Sequence, residues 1–125
     1  MLLDTHTLIW FLEGNPKLPL IVRQRIEDSS LVFVSIASLW EIAIKLGLGK
    51  LNFQFEFQEI PAFLEQLEIV VLPITFSDVE CYLKQPLHHR DPFDRILVAQ
   101  AINHSLVLIS RDVAFDAYSV QRLWS

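Results

Sequence analysis

With 125 residues, 52% of them hydrophobic, the chain suits one domain over 1–125 around a single core, and it has no Gly-, Ser- or Pro-rich linker. A formal net charge of −5 excludes a broad phosphate-gripping surface, because proteins that bind nucleic acid by counterion release are basic. The lone Cys81 excludes an internal disulfide and a multi-cysteine zinc site. No apolar run reaches the roughly 18 residues that span a bilayer, and MLLDTHTLIW lacks the basic start of a signal peptide, so a cytoplasmic protein with no membrane contact is expected.

LLD opens the chain as a short buried strand. THTLIWFLEG follows as a helix, with Leu8, Phe11 and Leu12 at helical spacing and Gly14 as its stop. Residues 17–29 form a second helix, with Leu20, Ile21 and Ile26 expected to face inward. LVFVS at 31–35 is β-branched and aromatic, hence a strand. A helix over 36–46 ends near the glycines of GLGK, with Gly47 as its C-cap. A helix at 57–67, a strand at 69–74 and a helix at 76–84 come next. The apolar helix 92–104 precedes a strand at 106–110, and 119–124 fits an edge strand. Strands without polar alternation are buried on both faces, as in a parallel sheet, and the intervening helices supply the crossovers. The expected fold is therefore α/β, a three-layer α/β/α arrangement around a parallel sheet of four or five strands.

Ligands of such sheets sit beyond the carboxyl ends of the strands. Asp4 closes the first strand, Ser35 the second, and Ser110, Arg111 and Asp112 the fourth. Glu41 lies inside the apolar SLWEIAIK, and Asp94 in the first turn of the helix before the fourth strand. Asp4, Glu41, Asp94 and Asp112 are thus expected to converge. Each has a plainer reading as well. Asp4 and Asp112 suit helix caps, and Glu41 suits an ion pair with Lys45 at i, i+4. Asp91 is a natural N-cap before Pro92, and Asp94 would then stand where a capping box places its acid. Asp94 is the better ligand candidate of those two, because Ile96, Leu97, Val98 and Ala99 surround it with apolar sequence. Asp91 can orient Arg95, four residues on, toward a substrate. His6, close to Asp4, is a substrate contact or a surface residue. His88, His89 and Arg90 form a small basic loop, suited to phosphate or to solvent.

Oxygen-only donors favour hard cations such as Mg²⁺ or Mn²⁺, which relieve the repulsion between neighbouring carboxylates. With such an ion the site would bind a phosphate and activate a water against it, so metal-assisted phosphodiester hydrolysis is the natural chemistry. KLGLGK does not match a phosphate-binding P-loop.

Four segments in order, LLDTHTLIW, SLWEIAIK, DPFDRILVAQA and LISRD, make the chain resemble a PIN domain, and within that family the VapC-like toxin ribonucleases of type II toxin–antitoxin pairs. The resemblance implies a parallel sheet flanked by helices, divalent metal dependence and endonucleolytic cleavage of RNA. It implies that Asp4, Glu41, Asp94 and Asp112 are the catalytic, metal-binding acids, with Asp91 an extra acid. Thr5 and Ser110 would line the site and hold water or phosphate. A homodimer and a cognate antitoxin are implied partners. Two rival readings differ in chemistry. A haloacid-type phosphatase needs DxD at the first strand, where this chain has Asp4-Thr5-His6. A non-catalytic or signalling α/β domain that binds Mg²⁺ through strand-end aspartates predicts no hydrolysis.

Overall fold

The strands are short, and the structure, a computed structural model describing residues 1–125, pairs all of them in parallel. They are β1 (Leu2–Leu3), β2 (Val32–Ser35), β3 (Ile69–Leu72), β4 (Leu108–Ile109) and β5 (Arg122–Leu123), in the order β3-β2-β1-β4-β5. Leu2 pairs with Phe33 on one side and Leu108 on the other. Six helices connect them: α1 (Thr5–Glu13), α2 (Leu20–Asp28), α3 (Ile36–Gly47), α4 (Ile60–Gln66), α5 (Phe76–Lys84) and α6 (Pro92–Asn103).

Side chains along a strand alternate between faces, and here both faces are covered. Leu3, Val34 and Ile109 join Leu8 of α1, Val22 of α2 and Ile60 of α4. Leu2 and Leu108 turn the other way, onto Leu97 and Val98 of α6 and onto Phe115. The result is the three-layer arrangement expected from unbroken apolar strands. α5 packs on the outside of α6, and no helix is long and apolar enough to cross a membrane.

Several local expectations change. Leu20 and Ile21 face solvent, while Val22 and Ile26 are buried. Pro19 sets the start of α2, and from there only the i, i+4 pair Val22 and Ile26 meets the core, with Leu18 beside it. Residues 57–67 divide into a 3-10 turn (Phe57–Glu59) and α4, with Pro61 in the first turn of the latter. Gly47 is still helical, and Gly49 takes the left-handed conformation at φ 68° that a chain reversal needs. β3 ends at Leu72 because Pro73 has no N–H to continue the ladder.

The contact between α5 and α6 is fixed by a buried carboxylate. Asp78 completes a capping box with Thr75 and accepts hydrogen bonds from Asn103 Nδ2 at 2.8 Å and Gln100 Nε2 at 3.2 Å, with His104 Nε2 at 2.9 Å. Burial pushes its carboxyl up, but the hydrogen bonds from Thr75, Asn103, Gln100 and His104 outweigh burial and hold it below the usual range.

From β1 the chain moves outward to β2 and β3, then returns to the opposite side of β1 for β4 and β5. That reversal opens a crevice at the carboxyl end of β1, the place where open parallel sheets bind ligands.

Candidate metal centre

Each acid at this crevice is placed by the element that it begins or rides on. Asp4 leaves β1 and caps α1, its Oδ1 accepting from Thr7 N–H at 2.9 Å. The Thr7 hydroxyl donates to Ile109 O at 3.0 Å and ties that first turn to β4. Ser35, the last residue of β2, caps α3 and directs it across the strand ends. Six residues on, Glu41 is buried despite its charge. Its Oε1 lies 2.7 Å from Thr5 Oγ1 and its Oε2 2.9 Å from Lys45 Nζ. Thr5 has one proton and gives it to the carboxylate, so the Ser38 hydroxyl, 3.0 Å away, is the donor to Thr5. The expected Glu41–Lys45 pair therefore forms, but it turns Glu41 inward.

Asp91 caps α6, its Oδ1 accepting from Phe93 N–H at 2.9 Å, with Pro92 at the first helical position. Asp94 does not complete a capping box. The Asp91 N–H instead donates to His89 Nδ1 at 3.3 Å, and Asp94 Oδ2 lies 3.2 Å from His89 Nε2. Asp112 caps the 3-10 turn Val113–Ala117, its Oδ1 accepting from Ala114 N–H at 2.9 Å, while its Oδ2 lies 3.8 Å from His89 Nε2.

Asp4, Glu41, Asp91, Asp94 and Asp112 line one cavity of about 120 Å³, with Thr5, His6, Lys45 and Phe115. Burial pushes the Asp94 carboxyl up to about 7, and the Asp91 carboxylate adds to the rise. His89 opposes it, while the charges of Glu41 and Asp4 raise it further. Burial first, and the neighbouring acids after it, thus keep this carboxyl protonated to near neutrality. An oxygen-rich donor set of this kind fits a hard divalent ion.

Through Asp4, His6 and Asp112 the cavity continues into a wider groove of about 650 Å³. Lys17 and Arg111 put positive charge on a lining that also holds Asp4 and Asp112. The Arg111 guanidinium lies 4.8 Å and Lys17 Nζ 6.0 Å from the centre of the Trp10 ring, and the His6 ring stands 5.6 Å from the same indole.

Two expected contacts lie elsewhere. Arg95 faces α5: Nη2 donates to Gln85 O at 3.4 Å and the guanidinium stands 4.2 Å from the Tyr82 ring. One residue past Asp94 is about 100° around a helix, so the two cannot share a face. Ser110 is fully buried, and its Oγ accepts the Asp112 N–H at 3.0 Å, so it shapes the turn that carries Asp112. His89, read from sequence only as part of a basic loop, lies against two of the acids. The one signal for it was its place two residues before a cap, since a capped helix start curls the preceding loop back over the first turn. Lys17 joins the groove from the loop before α2, a placement that no local pattern carries.

The comparisons with known proteins agree with this architecture. A chain of VapBC2 from Rickettsia felis, solved bound to a DNA fragment from their promoter, superposes with a TM-score of 0.75 at 14% identity, covering 99% of this chain and 98% of that one. A chain of FitAcB from Neisseria gonorrhoeae gives 0.66 at 23% identity, over 98% of this chain and 95% of that one. A chain of FitAB bound to an IR36 DNA fragment gives 0.64 at 21% identity, over 98% and 92%. At these identities the likeness speaks for the fold. No curated protein matches the sequence at a significant level. The PIN domain family model matches residues 1–121, and with nearly the whole length accounted for, the chain belongs to the PIN domain family.

Proposed function

We propose that this chain is a metal-dependent endoribonuclease, the toxin of a toxin–antitoxin pair acting in the cytoplasm. The observation that carries the reading is the convergence of Asp4, Glu41, Asp94 and Asp112, from four separate segments, on one cavity at the carboxyl end of β1. These four are the residues that would hold Mg²⁺ or Mn²⁺, with Asp91 beside them. A divalent cation supplies there the positive charge without which a phosphodiester would be repelled, and the Lewis acidity that its hydrolysis needs.

The protein's own groups do the rest. Thr5 holds one oxygen of Glu41 and Lys45 holds the other, so this carboxylate presents a fixed face to the cavity. The caps on Asp4 and Asp112 fix their carboxylates in the same way. His6, Lys17 and Arg111 line the groove that runs into the acids, and cations there suit the phosphates of a single strand passing over the site. This local wall answers the charge objection raised by the acidic total. An endonuclease needs a focused track to its metal, and a basic molecule is not required.

The resemblance to VapC-like toxins and the shared fold with chains of VapBC2 and FitAB support a cognate antitoxin as partner. A homodimer is supported by an exposed apolar surface in which Trp40 packs edge-on against Phe93, with Ile36, Phe57 and Val79 nearby. Sedimentation equilibrium should report twice the chain mass, and a monomer at all concentrations would refute the dimer.

The test of the function is cleavage of RNA by the purified chain. Cleavage should need Mg²⁺ or Mn²⁺, stop with EDTA, and be lost in Asp4→Ala and Asp94→Asn while both variants stay folded by circular dichroism. Cleavage that survives EDTA, or that survives both substitutions, would sink the proposal.

A further inference from the structure

The groove beside the acids can hold what the acid cavity cannot. The cavity is about 120 Å³ and its lining is polar apart from Phe115, which suits an ion and the oxygens around it. The groove is about 650 Å³, within the roughly 300–1,000 Å³ that takes a small organic ligand. Trp10, Leu51 and Val113 give it apolar surface, and Val113 is 67% exposed. Asp4, His6 and Asp112 line both spaces, so a group seated in the groove against them lies next to the acids.

His6 stands at this junction, exposed, in the first turn of α1. Trp10 is four residues on and shares its helix face. The two ring centroids are 5.6 Å apart, with planes inclined at 39°. Trp10 is only 8% exposed and is backed in turn by Trp124, at 6.1 Å between centroids. The imidazole is therefore an open aromatic surface on a packed support. The charges around it are mixed. Lys17 and Arg111 attract phosphates, whereas Asp4 and Asp112, which border the same space as His6, repel them. A nucleobase is uncharged and has a flat apolar face, so it fits beside those acids where a phosphate lacking a metal does not. Bases stack on histidine as on other aromatic rings, and the role depends on the ring's flat face, not on its charge.

We propose, resting on the ribonuclease reading, that His6 is a base-stacking residue: its ring carries the nucleobase next to the cleaved phosphodiester, while Lys17 and Arg111 hold phosphates further along the strand. A base inside a duplex is stacked on its neighbours and cannot reach the ring, so the site selects an unpaired nucleotide at that position. Every base has a π-face, so His6 selects for an unpaired strand and not for a sequence.

RNA binding by the full-length, inactive Asp94→Asn protein tests this, read by fluorescence anisotropy. A labelled single strand that wild type cuts is remade with an abasic ribose at each position in turn. Stacking one base on an aromatic side chain contributes about 5- to 100-fold in affinity, and a small exposed ring belongs near the lower end. Removing the base on one side of the cleaved bond should therefore weaken binding by about fivefold to tenfold. Adding His6→Ala to the protein should do the same for the intact strand. The two changes together should cost no more than either alone, because they delete one contact. His6→Phe should restore binding, and the dependence of affinity on salt should be the same with His6, with His6→Ala and with His6→Phe. The role is refuted if every abasic strand loses as much affinity with His6→Ala as without it. It is refuted equally if His6→Phe binds as weakly as His6→Ala while both stay folded by circular dichroism, or if His6→Ala lowers the salt slope by about 1, the sign of a phosphate contact. A wild type that cuts no strand, with a variant that binds none, would overturn the ribonuclease reading and this role with it, a failure distinct from the other three.

Discussion

Removing one charge from the acid cluster should make the cation-free protein more stable. In Asp94→Asn the side chain keeps its shape and loses its ionisation. The folded protein holds the Asp94 proton up to a pH of about 7, whereas the unfolded chain releases it near the ordinary 3.8. Between those values the folded state carries the extra proton, so wild-type stability falls as pH rises through that window and stays low above it. At about 1.4 kcal/mol per pH unit, the interval from 3.8 to about 7 sets a ceiling of about 4 kcal/mol. With the side chain 22% exposed, solvent takes part of this, and a gain of roughly 1–4 kcal/mol is expected. Urea unfolding of both proteins in EDTA, at pH 5, 6.5 and 8, reads it directly. Asp94→Asn should exceed wild type most at pH 8, and the gap should shrink toward pH 5. Saturating Mg²⁺ should then stabilise wild type more than the variant, by about 2.7 kcal/mol at a hundredfold excess over Kd if the variant binds none. Equal stabilities at pH 8, or a gap that ignores pH, would show that burial and the neighbouring acids do not raise the Asp94 carboxyl.

Asp78 should behave in the opposite sense. Its depressed carboxyl contributes stability above the usual carboxylate range and loses it as pH falls through the folded value. Asp78→Ala strands the amides of Asn103 and Gln100 and should cost about 3 kcal/mol in urea unfolding at pH 7. Cation affinity should be untouched, and a change in it would mean that α5 and α6 carry strain into the metal centre. In the groove, Lys17→Glu and Arg111→Glu should each weaken RNA binding by the inactive Asp94→Asn protein. Each should also lower the slope of log affinity against log salt by about 1, as loss of one phosphate contact requires. Fluorescence anisotropy across a salt series measures this, and an unchanged slope would take that residue off the strand's path.

The fold was legible because burial leaves a one-dimensional trace. LL, VFVS, IVVL and LVLIS have no polar face to show water, and that alone demands layers on both sides of a parallel sheet. What failed was rotational and local. LPLIVRQRIED has apolar residues on more than one face, and only the angle set by Pro19 brings Val22 inward and leaves Leu20 and Ile21 outside. In GLGK either glycine satisfies the pattern, and the backbone uses Gly49 for the left-handed turn. The groove was illegible for a different reason, since Lys17 and Arg111 meet over Trp10 from sequence positions far apart.

The site posed a different problem, because from sequence alone every acid also has a plainer reading, as a helix cap or, for Glu41, as an ion pair with Lys45. The geometry removes that opposition. A carboxylate has two oxygens, and a cap uses one. Asp4, Asp91 and Asp112 each give Oδ1 to a backbone N–H, of Thr7, Phe93 and Ala114. The bond at one oxygen fixes the direction of the other, so the signal that argued against function is the device that orients it. Glu41 differs, with side chains on both oxygens, Thr5 on one and Lys45 on the other. Asp94 has no such anchor, and its nearest charged neighbour is His89, with Nε2 3.2 Å from Oδ2. Cutting one cap without touching its charge tests the idea. Asp4→Glu keeps the carboxylate but lengthens its arm past the Thr7 N–H, so it should lose both the cap, worth about 1 kcal/mol of stability, and most of the cation affinity. If affinity survives that change, the cap does not aim the ligand, and the two readings of Asp4 are separate after all.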